Sequence, residues 1–150
     1  AEREEALRMI ESSCDFSVIS RRILAARWDT ATEAQKAAFV SAFSRLVGLS
    51  SIRKLGRFRA DRVEYLGEDV DEDEARVRTA AFYENKRVRL DYDLARVDGE
   101  WKIVDYALND VRTSTRYRKQ FDKILPKEGL DGLIGRLRRK LEDLEPSSAP

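Results

Sequence analysis

From Arg87 to Leu94 apolar and charged residues alternate without a fault. Period two places Val88, Leu90, Tyr92 and Leu94 on one face of a strand, and Arg89, Asp91 and Asp93 on the other. Ala95-Arg96-Val97 leads into Asp98-Gly99, a dipeptide that accepts positive φ at both centres of a type I′ turn, and Glu100 to Leu108 runs back as the partner strand. A two-residue loop pairs Val97 with Glu100, Leu94 with Ile103 and Tyr92 with Asp105. In that register one carboxylate, Asp105, falls among the apolar side chains, while Val104, Tyr106 and Leu108 fall beside Arg89, Asp91 and Asp93. Two resolutions are open. A bulge after Ile103 rotates the strand, or Asp105 points inward and needs a partner. An inward Asp105 is a satisfied structural group or one that faces a ligand.

Helical periodicity flanks this hairpin. Residues 4–14 read as a helix with Ala6, Leu7, Ile10 and Cys14 on one side. Asp15 caps a second helix carrying Phe16, Ile19, Ile23 and Ala26 at i, i+3, i+4 spacing. Thr32 with Gln35 forms a capping box for a third, with Phe39, Val40, Phe43, Leu46 and Val47 on one face; Gly48 loosens its end, or Leu49 to Leu55 continue it in a kinked form. From about Ala60 the period shifts to two. Val63 and Tyr65 mark a first strand closed by Gly67, and Ala75 to Tyr83 a second, which Glu84-Asn85-Lys86 turns into the central hairpin. The acidic run Glu68 to Glu74 between them reads as a solvated turn, because it lacks the ligand spacing and central glycine of a calcium loop.

After Leu108 helix resumes. Tyr117, Phe121, Ile124 and Leu125 form a stripe stopped by Pro126, and Gly129-Leu130-Asp131 resets the chain. Leu130, Leu133, Ile134, Leu137, Leu141 and Leu144 trace a further stripe. The expected fold is α+β: an antiparallel meander of about four strands with helices before and after it, residues 1–144 forming one domain and residues 145–150 a disordered polar tail.

Composition removes several functions. Charged residues make up 38%, yet 29 Lys and Arg against 28 Asp and Glu leave a net charge of +1, which offers no bulk attraction for nucleic acid. No apolar run approaches the ~18 residues of a membrane span, and no secretory h-region is present, so the chain reads as cytosolic or already processed. The sequence contains no histidine, which excludes Ser–His and Cys–His nucleophiles and zinc sites built on Cys and His. The lone Cys14 excludes an internal disulfide, and the scattered glycines form no phosphate loop. One enzyme chemistry survives, an Asp105-based proton transfer or a small-molecule site with Tyr92 beside it. Two basic clusters, Arg53, Lys54, Arg57 and Arg59, then Arg136, Arg138, Arg139 and Lys140, are solvated faces or docking surfaces for acidic partners or anionic headgroups.

The order of several short motifs resembles one family. Trp101-Lys102-Ile103-Val104-Asp105-Tyr106, Val111, Tyr117-Arg118-Lys119-Gln120-Phe121, then Gly129-Leu130-Asp131-Gly132-Leu133-Ile134 and Leu137 are similar to the C-terminal signature of the MlaC proteins, the toluene-tolerance auxiliary proteins of ABC transporters. Asp15-Phe16, Leu24, Trp28, Thr32 with Gln35, and Phe39 with Phe43 fall where that family places them. The likeness runs from about Leu7 to Leu144. Two departures stand out: a Leu-Gly pair of the family is here Leu24-Ala25, and a Gly-Val-Ser segment is here Asp110-Val111-Arg112. Family members also carry a signal peptide and further helix ahead of the Asp-Phe, so this chain reads as trimmed or as a divergent branch, one associated with hopanoid lipids.

The resemblance implies a fold of the nuclear-transport-factor-2 type and a periplasmic phospholipid carrier without catalytic residues. It implies no cofactor, bound phospholipid as cargo, and no nucleic acid. The carrier would be a monomer that passes lipid between an outer-membrane lipoprotein complex and the substrate-binding component of an inner-membrane ABC transporter, touching membrane complexes only transiently. The residues expected to line its slot are those on stripes facing the sheet: Phe16, Ile19, Ile23, Phe39, Phe43, Val47, Leu90, Tyr92, Tyr106, Val111, Tyr117 and Phe121.

Overall fold

The computed structural model describes residues 2–57 and 62–144. The expected cluster at Arg53, Lys54, Arg57 and Arg59, the Ala6 and Leu7 part of the first stripe, and the tail at 145–150 lie outside the described residues or side chains. Helices α1 (Glu2–Ser13), α2 (Phe16–Leu24), α3 (Ala26–Thr30) and α4 (Glu33–Arg57) precede strands β1 (Arg62–Asp71), β2 (Glu74–Tyr83), β3 (Lys86–Val97), β4 (Glu100–Leu108) and β5 (Val111–Arg112). Helices α5 (Thr113–Asp122) and α6 (Leu125–Leu144) follow. The five strands form one antiparallel sheet in the order β1-β2-β3-β4-β5. The α+β meander expected from periodicity is therefore present, with a short fifth strand added.

Local chemistry explains most boundaries. Asp15 Oδ1 accepts the amides of Ser17 and Val18 at 3.1 and 3.2 Å, which caps α2. Thr32 and Gln35 form the reciprocal box: the Gln35 amide donates to Thr32 Oγ1 at 3.1 Å and the Thr32 amide to Gln35 Oε1 at 3.0 Å. Each pair of neighbouring strands is joined by two residues, Glu72-Asp73, Glu84-Asn85, Asp98-Gly99 and Asn109-Asp110, and in the last three both residues have positive φ. That is the backbone of the primed hairpin turns, whose twist matches the strands.

Two sequence expectations need correction, and one left open is decided. The acidic run is not all turn: Glu68 to Asp71 extend β1 past a bulge between Tyr65 and Gly67, only Glu72-Asp73 turn, and Glu74 opens β2. The long α4 takes the second course left open at Gly48: it continues to Arg57, and Gly48 is buried within the helix rather than at its end. Pro126 does not stop a helix but sits in the first turn of α6, where its missing amide costs nothing. Helix α5 ends earlier, at Asp122, and the expected reset falls at Gly129, whose φ of 71° and ψ of −178° only glycine adopts readily.

The principal core is helical. Phe16, Ile19, Ile23, Phe39, Phe43, Phe121, Leu125, Leu133 and Leu137 are buried together. Phe43 sits at the centre, stacked on Phe39 at 5.5 Å and edge-on to Tyr117, Phe121 and Phe16 at 5.0, 6.3 and 6.4 Å. Among the described residues the helices meet the sheet along β4 and β5, through α2 and α5.

Between α2 and α3 the chain turns at Ala25 with φ 51° and ψ −122°, a conformation that crowds a Cβ. Ala25→Gly should relieve roughly 1–3 kcal/mol of strain, less about 0.4–1 kcal/mol for the looser unfolded chain. A net gain of about 1 kcal/mol is expected, read as a higher urea midpoint at unchanged m-value.

Candidate functional site

The register decides what each face of the sheet presents. Leu94 pairs with Ile103, but Asp93 pairs with Asp105, so Val104 is an extra residue in β4. Beyond this bulge Tyr106 stands opposite Tyr92, and Leu108 opposite Leu90. The same face continues through Val77, Thr79 and Ala81 of β2 to Val63, Tyr65 and Val70 of β1, where Glu68, opposite Val77, interrupts it and accepts from the Tyr65 hydroxyl at 2.8 Å. An apolar surface thus crosses all four long strands. It is half-buried at Leu90, Tyr92, Leu94 and Tyr106 but open at β1, where Val63, Tyr65 and Val70 are 63%, 61% and 58% exposed. Exposed apolar area of this extent marks a surface that meets a partner or ligand.

Aromatic side chains tie this face to the helices. Burial pushes the phenols of Tyr92 and Tyr117 above their usual range, and the neighbouring Tyr106 adds to both shifts. Tyr106 stands opposite Tyr92 on the sheet and lies near Tyr117 of α5, whose ring meets Phe43 edge-on at 5.0 Å. On the other side Cys14 bridges to Ile103, and the Asp15 amide donates to the Ile103 carbonyl at 2.8 Å.

The opposite face is ionic. Asp91, 4% exposed, accepts from Arg89 at 3.0 and 3.1 Å and lies 3.6 Å from Arg76. Asp93 accepts from Arg112 Nε at 3.0 Å, and Asp69 pairs with Arg78. Asp105 belongs to this side. It is 1% exposed and accepts from the Tyr106 amide at 2.9 Å, the Ser114 amide at 3.2 Å and the Ser114 hydroxyl, with Arg22 of α2 at 3.6 Å. Both sequence-level resolutions hold at once: the bulge is there, and Asp105 is buried with partners. The proposed pairing of Asp105 with Tyr92 is not assembled, because the bulge sends them to opposite faces.

A groove of about 610 Å³ opens beside the tip of the β3–β4 hairpin. Cys14, Phe16, Val40 and Val97 supply its apolar part; Glu11, Asp15, Arg45, Lys102 and several serines supply the rest. Lys102 Nζ donates to the Ser12 carbonyl and lies 3.4 Å from Glu100.

The residues expected to line a slot divide into three groups. Phe16, Ile19, Ile23, Phe39, Phe43, Val47 and Phe121 are packed in the helical core. Leu90, Tyr92, Tyr106 and Tyr117 form the half-buried strip joining that core to the sheet. Val111, on β5, is 54% exposed. Sequence reasoning passed over Val63, Tyr65, Val70 and Val77, although their alternation was visible, because the bulge after Tyr65 hides that Val70 rejoins the same face. In the second basic cluster Arg136 turns to Glu128 of its own helix, while Arg138, Arg139 and Lys140 are exposed.

Fold and site define an α+β protein whose sheet keeps an apolar face only partly roofed by its helices. The chain belongs to the MlaC family: the family model described as MlaC protein matches residues 1–139. Among solved structures it is similar to the phospholipid-binding protein from Ralstonia solanacearum in complex with a phospholipid, at 21% identity and a TM-score of 0.83, over 95% of this chain and 83% of that one. A putative NTF2-like transpeptidase from Campylobacter jejuni matches more distantly, with 17% identity and a TM-score of 0.46 over 65% of this chain and 81% of that one. No curated protein sequence matches. No helix among the described residues is long and apolar enough to cross a membrane.

Two measurements check this geometry. Asp105→Ala leaves Ser114 buried without its acceptor and should cost about 3 kcal/mol of stability by denaturant titration. The Arg22 contact contributes little to that figure, since its side chain is 40% exposed. Burial pushes the Cys14 thiol up to about 11, with Lys102 pulling weakly the other way. The folded thiol holds its proton more tightly than the unfolded one, so this stabilisation is complete below pH 9 and is lost as pH rises toward about 11. Iodoacetamide labelling of native protein should still be accelerating above pH 9, whereas labelling of the denatured chain levels off there.

Proposed function

We propose that this chain binds a phospholipid and carries it through the periplasm between outer- and inner-membrane transport complexes. The observation that carries the reading is the apolar sheet face, continuous over four strands and roofed mainly at β4, in a chain of the MlaC family. Its similarity in fold to a phospholipid-bound protein supports the same conclusion. Two acyl chains hold roughly 25 kcal/mol of gross transfer free energy at ~0.8 kcal/mol per CH₂. The tails are already out of water in a bilayer, so exchange between membrane and protein needs a comparable dry surface and little net driving force. The reading requires no catalytic residue. In it the acyl chains lie against Leu90, Tyr92, Tyr106 and Tyr117 and extend toward β1, and the helices shift away from the sheet to admit them. The exposed Arg138, Arg139 and Lys140 supply contacts to acidic surfaces on the transporter or lipoprotein partner, where charge steering speeds association without a tight complex.

Native mass spectrometry of gently purified protein should show added mass in the phospholipid range, and delipidated protein should regain it from vesicles. Leu90→Asp and Tyr65→Asp place a charge on the apolar face without entering the helical core. Each should lower the lipid load about tenfold or more, with helix content unchanged. A lipid-free mass together with no uptake from vesicles would overturn the proposal.

A further inference from the structure

Arg22, Arg76, Arg78 and Arg89 are half-buried, and each pairs with an aspartate, as partly desolvated charges usually must. Arg116 of α5 is half-buried too, yet no Asp or Glu among the described residues pairs with it. Its Nε is shut off from solvent and donates to no acceptor. Its guanidinium lies over the Tyr117 ring, 5.1 Å from the centroid. A ring face attracts a cation but carries no net charge to neutralise it.

The helix decides where this cation points. Arg118 donates to the Arg22 carbonyl of α2, and Ser114 is held by Asp105 on the ionic face of the sheet. At 3.6 residues per turn, side chains two positions apart point to nearly opposite sides of a helix. Arg116 stands two positions from both, so it turns away from α2 and from the ionic face. Tyr117, beside it, lies near Tyr106 of the apolar face, and the charge of Arg116 offsets part of the rise that burial gives the Tyr117 phenol. A cation without a carboxylate partner is thus brought to the edge of the half-buried strip of Tyr92, Tyr106 and Tyr117.

We propose that Arg116 is the phosphate anchor of the ligand, its guanidinium receiving the phosphodiester of a phospholipid whose acyl chains lie on the apolar face. The inference rests on the phospholipid reading above. What Arg116 lacks is an anion, and its surroundings select which one. A guanidinium offers N–H donors in a planar fork that matches two phosphate oxygens. Its neighbours toward the sheet are Tyr117 and Tyr106, so an anion that carries apolar chains is held at both ends, whereas a small hydrated anion is held at one. The anchor also sets a direction for the ligand: phosphate at α5, tails across Tyr106 and Tyr92 toward β1.

The test uses delipidated full chain and vesicles holding equal amounts of phosphatidylglycerol and diacylglycerol with identical acyl chains, the bound species being counted by native mass spectrometry. Wild type should take phosphatidylglycerol over diacylglycerol by about tenfold, the gain expected of hydrogen bonds to a charged group. Arg116→Gln should lower that ratio by about the same factor. The ratio does not depend on how much of the chain is folded, so a loss of stability cannot imitate this result. Lys119→Gln, which removes an exposed cation from the same helix, should leave the ratio where it is. Inorganic phosphate without vesicles should raise the thermal midpoint of wild type no more than that of Arg116→Gln at equal ionic strength. A rise confined to wild type assigns the cation to a free anion and overturns the lipid anchor. A ratio that Arg116→Gln leaves unmoved, or that Lys119→Gln lowers equally, also overturns it and leaves lipid carriage standing. Absence of uptake of either lipid overturns both.

Discussion

One inserted residue, Val104, organises the sheet. Without it the alternation of β4 would place Asp105 among Leu90, Tyr92 and Leu94, and would turn Tyr106 and Leu108 to the charged side. With it the second half of the strand rotates by one position. The apolar face gains Tyr106 and Leu108, and Asp105 joins Asp91 and Asp93 on the ionic face. A buried carboxylate is tolerable only where donors meet it. Here the donors are the amide and hydroxyl of Ser114 in the first turn of α5, so the group that the bulge expels from the apolar face becomes the clasp holding α5 to the sheet, with the partly exposed Arg22 of α2 adding a weaker contact.

That clasp lies along one side of the sheet, and the consequence is an unequal division of apolar surface. The helices satisfy one another around Phe43 and leave β1 to β3 with apolar side chains that no described element covers closely. In a protein stabilised only by its own packing, such a surface would be a liability. Under the carrier reading proposed above it is where the acyl chains of the ligand lie.

The ionic face shows how β1 to β3 remain ordered with little cover from the described helices. Opposite charges face each other across strands, Arg78 with Asp91 and Arg76 with Asp93 in register, and Arg89 and Arg112 close the network from either side. Cross-strand pairs of this kind each add a modest increment and oppose slippage, since a shift by one residue would bring apolar and charged rows together.

Much of this was legible in the chain. The alternation of Val88 to Leu94, the Asp98-Gly99 turn, the Asp15 cap and the Thr32–Gln35 box are local signals, each carried by residues within a few positions, and local stereochemistry reads them alike in any context. The aromatic stripes at Phe39, Phe43, Tyr117 and Phe121 also declared themselves by spacing. What spacing left open was which stripe would be helical core and which would stay half-buried on the sheet, because both demand apolar residues at the same period. Only packing separates them: Phe39 and Phe43 close upon helices, whereas Tyr92 and Tyr106 meet a partner on one side alone. The side taken by Asp105 was likewise undecidable from the strand itself. A bulge has no residue signature strong enough to announce it. Its position depends on the energy of burying a carboxylate against Ser114 and Arg22, residues that only the folded chain brings to it.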